Sequence, residues 1–321
     1  MQLAIVIALF LLGVVLIIKG GDLFVDAASW MAEVSGIPKL IVGATVVSLA
    51  TTLPEQLVSI MAAVQGKADM AVGNAVGSVT ANIGLILAVS VLCIPAVIRR
   101  GDYLVKAVLM LGSAVLLLVC GGAGRLEPVI AAVLLAVFAA FLVENAASAR
   151  RAMAAESAQA VRPPVDRRTI AANVLKFALG TAGIVWGADL LVDNGSELAR
   201  VIGISERVIG VTIVAVGTSL PEFITTITAI VKKQSSLSVG NILGANIIDL
   251  TLILPLSALV SGQTLPITQG FARFDLPVCV LVGCIAVLPA LAAERFRRWQ
   301  GVLLLAVYGV YVVLTCTGIG G

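Results

Sequence analysis

The chain has no histidine among its 321 residues. That removes a common metal ligand and the side chain that usually carries protons near neutral pH. Charge is scarce as well. Asp, Glu, Lys and Arg make up 12% of the residues, against roughly 25% in a soluble domain. The net charge is only +3, and the basic residues sit in short connections, which leaves no surface for nucleic acid. Cys93, Cys120, Cys279, Cys284 and Cys316 fall in apolar runs without zinc-type spacing, so they read as small hydrophobes. The run from Leu3 to Ile18 has no basic segment before it. Lys19-Gly20-Gly21-Asp22 is a poor cleavage site, so the run reads as a first span, not a leader.

What the chain has in abundance is apolar length. It is 60% hydrophobic, with a mean hydropathy of +1.11. A membrane span needs about 20 mostly apolar residues. Ten candidates meet that need: 3–33, 38–65, 70–98, 103–121, 127–149, 169–201, 206–231, 237–261, 274–293 and 298–317. The expected fold is an all-α polytopic membrane protein with little mass outside the bilayer.

Residues 150–168 carry Arg150, Arg151, Arg162, Arg167 and Arg168 around Pro163-Pro164. They read as a linker between halves 1–149 and 169–321. Arg99, Arg100, Lys106, Lys232, Lys233, Arg295, Arg297 and Arg298 fall on the same side as that linker. The positive-inside rule then places the linker in the cytoplasm and both termini outside, for a multi-pass protein of the cytoplasmic membrane.

The halves repeat. Adding 167 to a residue number maps Leu53-Pro54-Glu55 onto Leu220-Pro221-Glu222 and Gly73-Asn74 onto Gly240-Asn241. It also maps Gly43 onto Gly210, Gly77 onto Gly244, Asp22 onto Asp189, Asp26 onto Asp193 and Gly36 onto Gly203. Five spans per half is an odd number, so the second half enters the membrane upside down. The expectation is ten helices in two inverted five-helix repeats, with helices broken at the shared site, the plan of a secondary transporter.

The phrases Ala50-Thr51-Thr52-Leu53-Pro54-Glu55 and Gly217-Thr218-Ser219-Leu220-Pro221-Glu222 carry the chemistry. Proline has no N–H to give the carbonyl four residues back, so Ala50 and Gly217 lose their usual donors and the helix breaks. Such backbone is tolerated in a membrane only where it is buried in protein or lines a watery cavity. Glu55 and Glu222 then sit deep in apolar spans, where a carboxylate must be protonated, paired or bound to a cation. The hydroxyls of Thr51, Thr52, Thr218 and Ser219 stand beside them.

The next span adds two stripes at helical spacing: Gly73, Gly77 and Ala81, and Asn74, Ser78 and Asn82. The second half repeats them as Gly240 and Gly244, and as Asn241, Ala245 and Asp249. Small residues let helices approach closely. Asn74 and Asn241 suit interhelical hydrogen bonds and ion binding equally. Asn82 and Asp249 lie deeper and read as ion contacts. An all-oxygen donor set suits hard cations, and flexible carbonyls suit Ca²⁺ better than Mg²⁺. One Ca²⁺ or several Na⁺ would balance the same carboxylates, so the two ions compete.

These phrases, with Gly73-Asn74-Ala75-Val76-Gly77-Ser78 and Gly240-Asn241-Ile242-Leu243-Gly244-Ala245, resemble the α-repeats of the cation/calcium exchanger superfamily, and most of all its prokaryotic sodium/calcium exchangers. The resemblance implies Glu55 and Glu222 as central Ca²⁺ ligands. It implies Thr51, Thr52, Thr218, Ser219 and Ser78 as further ion contacts, carbonyls of Ser48 and Ala215, and Asn82 and Asp249 in the family's Asn/Asp positions. It implies sliding of spans one and six, with Ca²⁺ and Na⁺ as cargo, no cofactor and no enzymatic reaction.

Two positions depart from the pattern. Ala50 replaces a usual glycine, and Ala245 stands where many sodium-coupled members have serine, which leaves one Na⁺ site and the stoichiometry open. Asp249 leaves K⁺ dependence open. A proton-coupled Ca²⁺ exchanger is the nearest alternative, though the hydroxyl-rich turns favour Na⁺. An intramembrane protease would want two like acids sharing a proton, which requires neither the breaks nor the inversion. A channel would not need inverted halves.

Overall fold

The computed structural model describes residues 2–66, 68–95, 97–156, 166–202, 217, 219–262 and 264–317. The described residues are helical almost throughout, apart from two isolated bridges, Val97 to Arg295 and Arg125 to Pro266. Among the described residues, eight helices are long and apolar enough to cross a membrane, and the bent pair Lys39–Thr51 and Leu53–Val64 makes a ninth. Leu220–Val231 is a shorter apolar helix. Most of the candidate span 206–231 upstream of it lies outside the described residues, as do Gly203 and Gly210.

In chain order, α1 is Gln2–Ser35, α2 is Lys39–Thr51 and α3 is Leu53–Val64. Helix α4 runs Ala68–Ala81 and continues through a π-helical turn, Asn82–Leu87, into Ala88–Cys93. Helices α5 and α6 are Arg100–Gly121 and Pro128–Glu156. Helix α7 is Arg167–Val201 and α8 is Leu220–Val231. Helix α9 runs Ser235–Ile248, through a π turn at Asp249–Ile253, to Leu254–Ser261. Helix α10 opens with a π turn, Phe271–Asp275, and continues as Leu276–Ala293, and α11 is Arg298–Cys316.

Two boundaries differ from the sequence expectation. Helix α4 stops at Cys93 instead of running to 98, because Ile94 precedes Pro95 and is pushed to extended backbone (φ −137°). Helix α6 runs on to Glu156, into the stretch read as linker, since Ala152 to Glu156 contain no breaker. Helix α7 starts behind an N-cap: the Asp166 side chain accepts the Thr169 N–H at 3.0 Å. The Thr169 hydroxyl and N–H hold that exposed carboxyl below the ordinary aspartate range.

Helices α4 and α9 are the most enclosed, while α1, α6 and α11 turn most of their length outward. The outward faces carry Leu57, Val119, Val143 and Trp186, all well exposed, as a lipid-facing surface requires. The most extensive helix contact joins α1 to α7, and glycine makes it possible. A Cβ on Gly13 would stand 2.9 Å from the Gly187 carbonyl oxygen, and one on Gly20 would stand 2.9 Å from that of Gly180. The repeat offset carries Gly13 onto Gly180 and Gly20 onto Gly187, so each contact is the image of the other. Phe24 stacks on Phe177 at 4.6 Å beside this seam.

A second crossing sets α2 against α9. A Cβ on Gly240 would overlap the Leu40 carbonyl oxygen, one on Gly244 that of Ala44, and one on Gly43 that of Leu237. The helices meet backbone to backbone, as small residues permit in membranes. This crossing brings the broken turn after α2 against the polar stripe of α9.

Candidate functional site

The site is built on helix breaks. Helices α2 and α3 bend by 47° across Thr52, which ends one and starts the other at φ −82°, ψ 0°. Pro54 and Pro221 each stand in the first turn of their helices, where a missing N–H costs nothing to the new helix. The Ala50 and Gly217 carbonyls are thereby left without an i+4 donor. The next residues, Glu55 and Glu222, are buried, at 1% and 0% exposure.

Neither oxygen of either carboxylate has a hydrogen-bond donor among the described residues, and the same holds for Asp249. Glu55 and Glu222 lie close enough to act on each other by charge, with Asp249 within reach of both and Thr51 beside Glu222. No group of three or more His, Cys, Asp or Glu suited to hold one metal ion occurs among the described residues. The arrangement is three buried carboxylates within electrostatic reach of one another. Buried carboxylates without donors are costly unless protonated or balanced by cations.

The surrounding side chains are locked. The single Thr51 hydroxyl proton is shared between Asn241 Oδ1 and the Ser48 carbonyl, both at 3.3 Å, and Thr52 Oγ1 donates to the same carbonyl at 2.8 Å. Asn241 Nδ2 donates to Thr225 Oγ1 at 3.0 Å. Asn74 Nδ2 donates to the Glu55 carbonyl at 3.1 Å and to Ser59 Oγ at 2.9 Å. Both asparagines therefore make the interhelical bonds that the sequence left level with ion binding. Ser78 and Ser219 are buried, and the Ser219 hydroxyl has no partner among the described residues. Thr218 and Ala215 lie outside the described residues.

Asn82 and Asp249 open the π turns of α4 and α9, at repeat-equivalent positions. Asn82 Nδ2 donates to Asn246 Oδ1 at 3.1 Å, which leaves Asn82 Oδ1 without a partner among the described residues. Asn246 is fully buried and also reaches Met110 Sδ. Sequence reasoning passed over Asn246 because its repeat counterpart is Val79. The usable signal was its spacing of three from Asp249, on the same helix face.

Comparison with known proteins fits this geometry. Residues 5–145 and 172–317 both match the family described as Sodium/calcium exchanger protein. The chain belongs to that family. The family member described here is 35% identical over 316 residues to the inner membrane protein YrbG of Escherichia coli K12, covering 96% of this chain and 95% of that one. It is 30% identical over 346 residues to the sodium/calcium exchanger MaX1 of Methanosarcina acetivorans, covering 95% and 97%. A solved structure of the sodium-calcium exchanger NCX_Mj, soaked with Na⁺ and Sr²⁺, superposes with a TM-score of 0.82 at 27% identity, covering 97% of this chain and 99% of that one.

Proposed function

We propose that this protein is a secondary antiporter that exchanges Ca²⁺ for Na⁺ across the cytoplasmic membrane by alternating access. One observation carries the reading. Two carboxylates, each directly after a proline break, lie buried within electrostatic reach of each other with no described hydrogen-bond donor. One Ca²⁺ or two Na⁺ would neutralise the pair, and neither load can be added without removing the other.

The proposed ligands are Glu55 and Glu222, with the hydroxyls of Thr51, Thr52, Thr218, Ser219 and Ser78, the carbonyls of Ser48 and Ala215, and Asn82 and Asp249. The proposed plan is ten spans in two inverted halves, 1–149 and 169–321, with linker 150–168 in the cytoplasm and both termini outside. The reciprocal Gly13–Gly187 and Gly20–Gly180 contacts support that plan. The likeness to NCX_Mj, a sodium-calcium exchanger, supports the choice of exchanged ions. Helices α1 and α7 are the proposed sliding pair.

The test is ⁴⁵Ca²⁺ uptake into proteoliposomes with a Na⁺, K⁺ or pH gradient imposed singly. Uptake driven by Na⁺ with pH clamped is expected. Uptake that follows only the pH gradient establishes proton coupling instead. Absence of uptake under every gradient overturns the exchanger reading.

A further inference from the structure

The two acid pairs of α1 and α7 are images under the repeat, yet their surroundings differ. The offset of 167 maps Asp22, Val25 and Asp26 onto Asp189, Val192 and Asp193. It also maps Gln65, at the end of α3, onto Lys232, at the end of α8.

On the α7 side a cavity of about 110 Å³ reaches the broken turns, lined by Pro54, Asp189, Val192, Asp193, Gly217 and Pro221 among others. Neither Asp189 nor Asp193 makes an ion pair among the described residues. On the α1 side, Lys232 Nζ lies 3.2 Å from Asp22 Oδ1 and 2.8 Å from Asp26 Oδ1, and donates to the Asp22 carbonyl at 3.1 Å. Gly21 is seated on α8, so that a Cβ there would stand 2.8 Å from Thr228 Oγ1. Val25, the image of the cavity-lining Val192, is fully buried. Among the described residues, one flank carries an acid-lined cavity, while on the other a lysine with no counterpart across the repeat ties α1 to α8.

We infer that Lys232 is an electrostatic latch that ties α1 to the end of α8, closing the flank past Asp22 and Asp26, and that its release is a step of the exchange cycle. Gln65 occupies the equivalent place on the other flank and has no charge to pair with Asp189 and Asp193. The asymmetry biases the resting protein towards the state open past α7. This inference rests on the alternating-access reading, within which Lys232 is a positioning residue that touches no transported ion. Ion pairs of this partly exposed kind are worth little singly, but here one ammonium holds two carboxylates and a carbonyl of the same helix.

Labelling kinetics test the latch without requiring transport. In a background with the five native cysteines replaced, Val25→Cys and Val192→Cys are reacted in detergent with a charged thiol reagent. Val192→Cys is expected to react quickly and Val25→Cys slowly. Lys232→Gln should speed Val25→Cys roughly three- to tenfold, two weak ion pairs being lost together. Lys232→Arg should restore slow labelling. Asp26→Asn removes half the clamp from the other partner and should give an intermediate rate. Gln65→Lys should slow Val192→Cys. Equal Val25→Cys labelling with and without Lys232 overturns the latch, and so does an equal rise at both cysteines, which would mean general loosening. A wild-type protein without Na⁺-driven Ca²⁺ flux overturns the exchanger reading alone and leaves this labelling difference standing.

Discussion

Replacing Gly240 by alanine adds one methyl group at the tightest point of the α2–α9 crossing. That methyl would overlap the Leu40 carbonyl oxygen and stand 2.9 Å from Leu40 C and 3.0 Å from Ala44 N. All three atoms are backbone, so no side chain can swing aside. Restoring ordinary contact at ~3.5 Å forces the helices apart. Overpacking typically costs about 1–3 kcal/mol, and a site with only backbone to move belongs at the upper end, about 2–3 kcal/mol. The next residue, Asn241, holds Thr51 by a bond of 3.3 Å, already long. Parting the helices breaks it, and a lost bond of about 1 kcal/mol lowers Ca²⁺ affinity roughly fivefold.

The control is Gly309→Ala in α11, where a Cβ meets no described atom within 4 Å. There the same methyl should stabilise the helix by about 0.5–1 kcal/mol. Thermal unfolding of both variants in detergent, with Ca²⁺ titration alongside, checks the pair. Gly240→Ala should melt below the wild type and Gly309→Ala at or above it. A Gly240→Ala protein as stable as the wild type refutes the backbone-contact account of the crossing.

Other outcomes follow from the site and its frame. Glu55→Gln and Glu222→Gln should each abolish ⁴⁵Ca²⁺ exchange in proteoliposomes with normal membrane insertion, since removing one charge from a buried charged site costs about 3–5 kcal/mol; near-wild-type flux in either would remove that residue from the site. Gly21→Leu and Ala188→Leu should slow turnover while Ca²⁺ binding in detergent stays close to normal. An affinity loss that matches the flux loss would instead put these segments in the ion site. A cysteine at Ala154, in a cysteine-free background, should resist impermeant thiol reagents added outside intact cells, and ready labelling would reverse the proposed topology.

Much of this fold was legible because membrane helices leave few choices. The break at Pro54 was visible because proline cannot supply an N–H, and the helix restarts at Leu53 as that chemistry requires. Glu55 and Glu222 stood out as acids in apolar runs, and both are buried with no described donor. The π turns that begin at Asn82 and Asp249 were not legible. An extra residue in a helical turn is decided by tertiary packing and leaves no composition signal. Lys232 was read only as a topology signal, because its partners Asp22 and Asp26 come from the far end of the chain. Asn246 was missed because repeat comparison highlights what the halves share, and this residue belongs to one half alone.

The glycine seam between α1 and α7 has a consequence for biogenesis. Helix α1 is made before α2 to α6, yet its partner is the first helix of the other half. During synthesis the Gly13–Gly20 face waits in lipid while five further helices, α2 to α6, are inserted, so the contact closes late and at long range. A ribosome that stops after Glu156 releases a chain whose smooth helix face has nothing to close on. Such a fragment has one natural substitute, the same face on another copy, and misassembly of half-chains through that face is the hazard that quality control in the membrane must clear.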